Sequence, residues 1–274
     1  MISTVSVEPR NRLRVAYLLT HIVAALAAVA SAAGVFVPGL YRDNEWVIPQ
    51  NQGTDLVTLS IAVPVLLLAA RFAVRDSARA AIVWFGVLGY VWYVYTGASF
   101  AYALNNVFLF YVALFALCIA ALIALATRLD VGAIWRRFDS RTPVRPVVMY
   151  MVFVAIMLCV LWLGQLIPFF MTGELPEPLV QAGGQTMFVY VLDLGVVVPL
   201  ALLGAAWLLQ RKPWGSIVAG FILVKVATMG MALLAMTWFL ARSGQPVEMA
   251  LSVIWVFLAV SGVAMAVWFL RHCH

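Results

Sequence analysis

Charged residues are scarce in this sequence of 274 residues: 10% are Asp, Glu, Lys or Arg, whereas 65% are hydrophobic. A typical globular chain is about 25% charged and roughly 45–50% apolar. The deficit excludes a soluble enzyme, a nucleic-acid-binding protein and a disordered chain. It also changes the meaning of the net charge of +6, because an excess of Arg in a membrane protein reports its topology and not a polyanionic partner.

Cysteine and histidine are also rare, with three of each. No Cys-x-x-Cys pair occurs, so neither a disulfide scaffold nor thiol–disulfide chemistry has support. Only His21 lies within an apolar segment, which excludes a bis-histidine haem within this chain. The tail His272-Cys273-His274 carries metal-binding groups on a terminus that we expect to be frayed, so we predict no metal site. We also predict no cofactor.

Long hydrophobic runs are the main feature that the sequence does have. Eight segments are each long enough to cross a hydrocarbon core of roughly 30 Å as a helix. Backbone groups in lipid must pair within the segment, and the alternation of membrane β-strands is absent. We therefore predict an all-α integral membrane protein, with one polytopic domain over residues 1–274. The predicted segments are 15–38, 56–74, 80–101, 107–127, 146–170, 187–209, 215–241 and 249–270.

The distribution of positive charge predicts the orientation. Fourteen of the 17 Lys and Arg residues fall on one predicted side of the membrane. They lie before the first segment, in or beside the loops that follow segments two, four and six, or after the eighth segment. Arg42 and Arg242 fall in the other loops, and Lys225 lies within a segment. Because positive residues concentrate in cytoplasmic loops, we expect both termini in the cytoplasm. Arg outnumbers Lys 15 to 2, and we interpret this composition as that of a bacterial inner (plasma) membrane protein.

Residues 10–32 also look like a secretory signal peptide, with a basic start and a small-residue site at Ala30-Ser31-Ala32. Cleavage would leave seven spans and the same charge pattern. However, the apolar run continues to Pro38, which is longer than a signal peptide requires. We therefore favour a first spanning helix and keep cleavage as the alternative.

An internal repeat divides the segments into two sets of four. A single ungapped offset superposes Pro64 of the second segment on Pro199 of the sixth, and Ile82-Val83 of the third on Ile217-Val218 of the seventh. Sets with an even number of helices would be parallel repeats, related by an axis along the membrane normal. The alternative is a chance match between apolar helices of similar composition. The predicted halves are 12–127 and 145–271, joined by a cytoplasmic loop 128–144.

Two ionisable residues, Lys225 and Asp193, lie deep within apolar segments. Such residues are costly in a membrane, which makes them functional candidates by default. They fall on consecutive antiparallel segments, and we estimate that their depths differ by about 10 Å, which a stretched Lys side chain could partly close. A pair that exchanges a proton and a static pair that joins two helices are both consistent with this pattern.

Four further polar residues are candidates for substrate binding or proton relay. The repeat would place Tyr90 where Lys225 lies, and its hydroxyl needs a partner in lipid. We favour an interfacial belt for the aromatic residues at 92–102 and keep a pocket as the alternative. Asp55 suits the beginning of the second helix, with Thr54 as its cap. The other two candidates are His21 and Gln165, and the predicted helix breaks are Pro64 and Pro199.

These residues favour a small transporter or permease-like protein for a small or lipophilic substrate. One alternative is a non-catalytic membrane subunit, assembly factor or sensor. A second is a membrane-embedded enzyme or a binder of a lipophilic cofactor: Lys225 resembles the retinal-binding lysine of opsins in its position on a late helix, but in no surrounding motif. An enzyme stays undecided, although the sequence leans against one. The expected partners are the lipid bilayer, an unidentified small molecule, and a membrane protein or a second copy, but no nucleic acid.

Overall fold

The computed structural model describes residues 12–184 and 187–274. Within them, eight helices are long and apolar enough to span a membrane, which confirms the predicted all-α eight-span architecture. Two short helices, Val131–Arg136 and Glu177–Ala182, lie in connecting loops. The spanning helices are α1 Arg14–Phe36, α2 Val47–Ala73, α3 Ala78–Ala101, α4 Phe108–Arg128, α5 Val144–Thr172, α6 Phe188–Leu209, α7 Pro213–Arg242 and α8 Met249–Arg271.

The two ends of the helical bundle can be named from the path of the chain. Helix α1 begins and helix α8 ends on the same side, because the number of spanning helices between them is even. We call this side the terminal face and the other side the distal face. The loops that join α1 to α2, α3 to α4, α5 to α6 and α7 to α8 therefore lie on the distal face.

Helix α2 begins at Val47, about two and a half turns before the predicted start at residue 56. The sequence-based assignment of Asp55 to the helix N-terminus was therefore wrong, as was that of Thr54 to the cap. Asp55 lies within the helix, and the Thr54 hydroxyl donates to the Gln50 carbonyl. This polar first part of α2 forms a helix because its polar residues are buried against other helices and not exposed in a loop.

Helices α2 and α6 each contain one π-helical turn immediately before a proline. The turn in α2 covers Thr58–Ala62 and precedes Pro64, whereas the turn in α6 covers Asp193–Val197 and precedes Pro199. A proline has no N–H to donate, so the carbonyls of the preceding turn must find other partners. Each of the two predicted helix breaks thus follows a π-helical turn, and both helices continue through their proline.

Helices α3 and α7 form the centre of the bundle. In their most apolar stretches 78% and 72% of the residues are buried, compared with 28–44% in the other six spanning helices. Gly86 and Gly89 of α3 face Val224 and Phe221 of α7, and a Cβ atom on either glycine would collide with those side chains. The two central helices can therefore approach each other closely, because small residues lie at their contact.

The C-terminal tail is folded against the terminal face, so the expectation of a frayed terminus was wrong. Cys273 is fully buried and forms an isolated antiparallel bridge with Phe138 in the loop between α4 and α5. His272 Nδ1 lies 3.0 Å from Asp139 Oδ1 in the same loop. The guanidinium of Arg79, in the first turn of α3, donates to the Cys273 carbonyl. These contacts connect the end of the chain to two loops of the terminal face.

Candidate functional site

Lys225 and Asp193 form an ion pair in the interior of the bundle. The Lys225 Nζ lies 3.5 Å from Asp193 Oδ1, and each side chain is 6% exposed. The depth difference that we estimated from the sequence is closed in the structure, because the long Lys side chain extends to the carboxylate. Both residues are therefore held away from water with opposite charges adjacent, an arrangement that lowers the cost of burying either charge alone.

Two aromatic side chains complete this site. The Tyr93 hydroxyl of α3 donates to Asp193 Oδ1 at 3.0 Å, and the Trp162 indole N–H of α5 donates to Asp193 Oδ2 at 3.0 Å. The Lys225 ammonium also lies 4.0 Å from the centre of the Tyr93 ring, within the range of a cation–π interaction. Side chains from α3, α5 and α7 thus converge on one carboxylate of α6. We call Lys225, Asp193, Tyr93 and Trp162 the central cluster.

The local backbone explains how Asp193 comes to face its partners. It is the first residue of the π-helical turn of α6, and one such turn changes the direction of the side chains that follow. π-Helical turns are rare and frequent at functional sites. On the opposite side of the cluster, the glycines of α3 bring its backbone close to α7. Tyr93 of α3 can therefore contact the side chains of both α6 and α7.

Tyr90 forms its described hydrogen bond away from Lys225, although the sequence suggested that both residues belong to one centre. The Tyr90 hydroxyl lies 3.3 Å from the Thr58 hydroxyl of α2. Tyr93, one helical turn further along α3, has the Lys225 ammonium over its ring. The described hydrogen-bond partner of Tyr90 therefore belongs to α2 and not to α7.

Asp55 forms part of a second polar group, in the first four helices. It accepts a short hydrogen bond from the hydroxyl of Tyr41, which lies in the loop after α1. The Ser31 hydroxyl of α1 faces the same carboxyl group and lies 3.0 Å from the Tyr95 hydroxyl of α3. We call Asp55, Tyr41, Ser31 and Tyr95 the Asp55 cluster.

His21 and Gln165 lie outside both clusters. The His21 Nδ1 lies 2.8 Å from the carbonyl of Tyr17, one turn earlier in α1, and its ring packs against that of Tyr17. Gln165 accepts a hydrogen bond of 2.7 Å from Tyr190, whose ring packs edge-on against Trp162. Gln165 is therefore one side chain removed from the central cluster, whereas His21 has only local contacts.

Sequence reasoning missed Tyr93 and Tyr95 as members of a site, because both fall in the aromatic stretch that we assigned to an interfacial belt. That assignment was wrong for these two residues: they are 5% and 1% exposed and lie inside the bundle. Phe100, in contrast, is 72% exposed at the distal end of α3, as expected of a belt residue. The available signal was the phenol hydroxyl itself, since a Tyr deep in a span needs a polar partner.

No arrangement of metal ligands occurs in the part of the chain that the structure describes: no three His, Cys, Asp or Glu residues lie close enough to hold an ion. The chemistry available to the central cluster is that of one ammonium, one carboxylate, one phenol and one indole. These groups can bind an anionic or carbonyl-bearing group, or transfer a proton between the ammonium and the carboxylate.

Comparisons with known proteins add no family to this description. No family model matches the chain, and no curated protein or solved structure matches it significantly. A function must therefore be inferred from the two clusters and from the membrane architecture.

Proposed function

We propose that the protein is a small transporter-like membrane protein for a small or lipophilic substrate, with the central cluster as its binding and proton-responsive centre. The observation that carries this proposal is the position of Lys225 and Asp193. Both are buried within spanning helices, where ionisable residues usually mark a substrate or proton pathway. The remaining interior is mostly apolar, which favours a substrate with little polar surface.

The incomplete pairing of Lys225 supports a binding role. An ammonium group carries three N–H donors, and the described partners of this one are a single oxygen at 3.5 Å and the face of the Tyr93 ring. A distance of 3.5 Å is long for a charge-assisted hydrogen bond, which is usually about 2.7–2.9 Å. An anionic or carbonyl group on a substrate could provide the contact that Asp193 provides only weakly.

The backbone around Asp193 supports a centre that can change conformation. The π-helical turn places Asp193 next to a segment in which Pro199 cannot donate a hydrogen bond. Helices interrupted in this way can bend or shift between two arrangements. A shift of this turn would move the carboxylate relative to Lys225, and loss of the pair would favour transfer of the Lys225 proton to Asp193.

The proposed location is the plasma membrane of a bacterium, with the terminal face in the cytoplasm. The 14 to 2 distribution of Lys and Arg between the two faces supports this orientation. Two fusions to a reporter enzyme that is active only in the periplasm test this orientation. One fusion follows Ser243, in the loop between α7 and α8, and the other follows Arg211, in the loop between α6 and α7. We expect activity only for the first fusion, and the reverse result would contradict the orientation.

A second candidate function is that of a non-catalytic membrane subunit, in which the central cluster holds the helices in place. The observation that favours it is the number of hydrogen bonds to Asp193. Its carboxylate accepts from Tyr93, Trp162 and Lys225, which lie on three different helices. Helix α8 supplies a surface for a partner, because only 28% of its most apolar stretch is buried. A second copy of the chain or another membrane protein would then cover that surface.

Amine labelling distinguishes the two candidates, because the chain contains only two lysines. Lys212 is exposed at the terminal face and reports whether the reagent is active, whereas Lys225 reports on the centre. The purified protein is treated with a small amine-reactive reagent in detergent and in liposomes at several pH values. The modified fraction of each lysine is then measured by mass spectrometry.

If Lys225 opens to solvent during a transport cycle, its labelling should depend on pH and should decrease in the presence of a substrate. Complete inertness of Lys225 up to denaturation, with full modification of Lys212, would contradict the transport proposal and favour the structural one. Proton uptake into liposomes loaded with a pH-sensitive dye provides a second readout. It should fall in Lys225→Met and stay unchanged in Lys212→Met.

A further inference from the structure

Asp55 differs from the other buried carboxylate in the nature of its partners. Asp193 faces the Lys225 ammonium, whereas no Lys, Arg or His nitrogen of the described residues forms an ion pair with Asp55. Asp55 is nevertheless only 6% exposed. A buried carboxylate without a positive partner is costly, and binding a proton removes that cost.

The polar groups found near Asp55 among the described residues are neutral hydroxyls. Helix α1 contributes Ser31, and the loop after it contributes Tyr41. Helix α7 also packs on α2 and contains two charged residues. Lys225 is paired with Asp193, and Arg242 lies at the end of the helix. Four phenols lie near the Asp55 carboxyl group. Tyr90 and Tyr95 belong to α3, Tyr102 follows the end of α3, and Tyr111 belongs to α4.

The hydrogen bonds around Ser31 leave few donors for an ionised Asp55. The Tyr95 hydroxyl donates its only hydrogen to the Ala27 carbonyl at 3.2 Å. In the 3.0 Å contact between Ser31 and Tyr95, Ser31 is then the donor. With the Ser31 hydrogen used in this way, the Tyr41 hydroxyl is the one side-chain donor to the Asp55 carboxyl group among the described residues.

The space around the carboxyl group excludes a larger ligand. Gly34 of α1 lies so close that a Cβ atom there would collide with both Asp55 Oδ2 and the Tyr41 hydroxyl. A sodium ion would need several oxygen ligands around a void, and here the neighbouring backbone and the Tyr41 phenol occupy that space. A proton needs no such void.

We propose that Asp55 is a second proton-binding site, separate from the central cluster and connected to the distal face through Asp43. Uptake of one proton converts the Asp55 carboxylate to a neutral carboxylic acid, which still accepts a hydrogen bond from Tyr41. Release of the proton to the distal side restores the carboxylate. This site does not depend on the proposed transport function, because it stands even if the central cluster only joins helices.

Asp43 supplies the connection to the distal face. It lies in the loop after α1 and accepts a hydrogen bond of 2.9 Å from the backbone N–H of Ala103, while its second oxygen is buried without a partner among the described residues. Burial raises the pKa of the Asp43 carboxyl group above its ordinary value. Ala103 follows Tyr102, whose ring packs edge-on against the rings of Tyr41 and Tyr111. Asp43 is thus linked through this group of phenols to Tyr41, the hydrogen-bond partner of Asp55.

Infrared difference spectroscopy on the full chain tests this proposal. Protein with ¹³C-labelled Asp is reconstituted in lipid, and spectra are compared between acidic and alkaline buffer. The carbonyl stretch of a protonated carboxylic acid is separate from the bands of carboxylates. Asp43 is a second, partly buried acid with a raised pKa, so the comparison is made in an Asp43→Asn background. There we expect such a band, its loss on adding Asp55→Asn, and its retention on adding Asp193→Asn, which is the matched control.

Tyr41→Phe provides a variant that keeps the acid and removes one hydrogen bond. The band should shift to higher frequency, because the carbonyl loses a donor, and it should persist to higher pH, because the ionised form loses the same donor. This variant decides the question if Asp55→Asn does not fold. Absence of the acid band at every pH, its persistence in Asp55→Asn, or no shift in Tyr41→Phe would each overturn the proposal.

Discussion

Tyr90 and Lys225 each contact the spanning helix that precedes their own. The Tyr90 hydroxyl lies 3.3 Å from that of Thr58, and the Lys225 ammonium lies 3.5 Å from Asp193. The sequence offset of the predicted repeat relates Tyr90 to Lys225 and Thr58 to Asp193, and Thr58 and Asp193 are each the first residue of a π-helical turn. The residues related by this offset therefore form a neutral hydroxyl pair between α2 and α3, and an ion pair between α6 and α7.

The contacts between the central helices have the same symmetry. Gly86 faces Val224, and Gly89 faces Phe221. The repeat offset relates Gly86 to Phe221 and Gly89 to Val224, so exchanging the two helices converts one contact into the other. Contacts of this kind are typical of a two-fold axis. An axis between α3 and α7 would relate these two contacts, and the two halves stay a prediction from the sequence.

We expect the ion pair to be coupled energetically. Lys225→Met leaves a buried carboxylate without its counter-ion, which typically destabilises a protein by about 3–5 kcal/mol. The double variant Lys225→Met with Asp193→Asn should recover much of that loss, because neither charge is then unpaired. Unfolding in SDS titrations measures all three variants, with Lys212→Met as the unaffected control. Simple addition of the two single effects would contradict the coupling.

Tyr93→Phe separates the two contributions of this residue, since it removes the hydroxyl bond to Asp193 and retains the ring beside Lys225. A hydrogen bond to a charged group typically contributes about 1.5–3 kcal/mol, so a loss of stability in that range is expected. Tyr190→Phe, which removes the bond to Gln165, is the matched control and should cost about 0.5–1.5 kcal/mol. Equal losses in both variants would show that the Tyr93 hydroxyl has no special role at the carboxylate.

The packing of α7 on α8 depends on Gly230, where a Cβ atom would collide with the backbone at Ala259. Because backbone atoms cannot rotate away, Gly230→Val should destabilise the protein by about 1–3 kcal/mol or more. Gly164 of α5 has no atom within 4 Å of its Cβ position, so Gly164→Val should have little effect. Thermal unfolding in one detergent compares the two variants, and similar melting temperatures would contradict this helix contact.

The tail contact at Asp139 should depend on pH. Partial desolvation would raise the pKa of this carboxyl group, but hydrogen bonds from His272 and from the backbone N–H of Arg141 hold it below its ordinary value. The ionised form is therefore the one that favours folding, and its contribution is present above about pH 4 and lost as the pH falls further. The difference in melting temperature between wild type and Asp139→Asn should shrink on acidification. A constant difference down to the most acidic buffer would rule out this contribution.

The sequence predicted the eight helices and the two buried charges because both depend on properties of single segments. Length and apolar composition define a span, and an ionisable residue within one is conspicuous. The start of α2 was missed because residues 47–55 resemble a polar loop. Only their burial against α1 and α7 shows that this segment is a helix.

The members of each cluster could not be predicted because they depend on relations between segments. Tyr90 and Tyr93 are one turn apart on a helix that is apolar on all sides. The position of α3 along the membrane normal and its rotation relative to α7 decide which of the two tyrosines meets Lys225. The amino-acid composition of the helix encodes neither its position nor its rotation. Trp162 was missed for the same reason, since nothing near it in the sequence indicates that it faces Asp193.

Contacts at the terminal face join the tail to other parts of the chain. There Arg79 donates to the Cys273 carbonyl, Arg137 pairs with Asp76, and His272 lies beside Asp139. Two of these contacts attach the tail to the first turn of α3 and to the loop before α5. A conformational change that keeps these contacts would have to take place mainly toward the distal face, where Asp55 and Tyr41 lie, and would therefore alter the surroundings of the Asp55 carboxyl group.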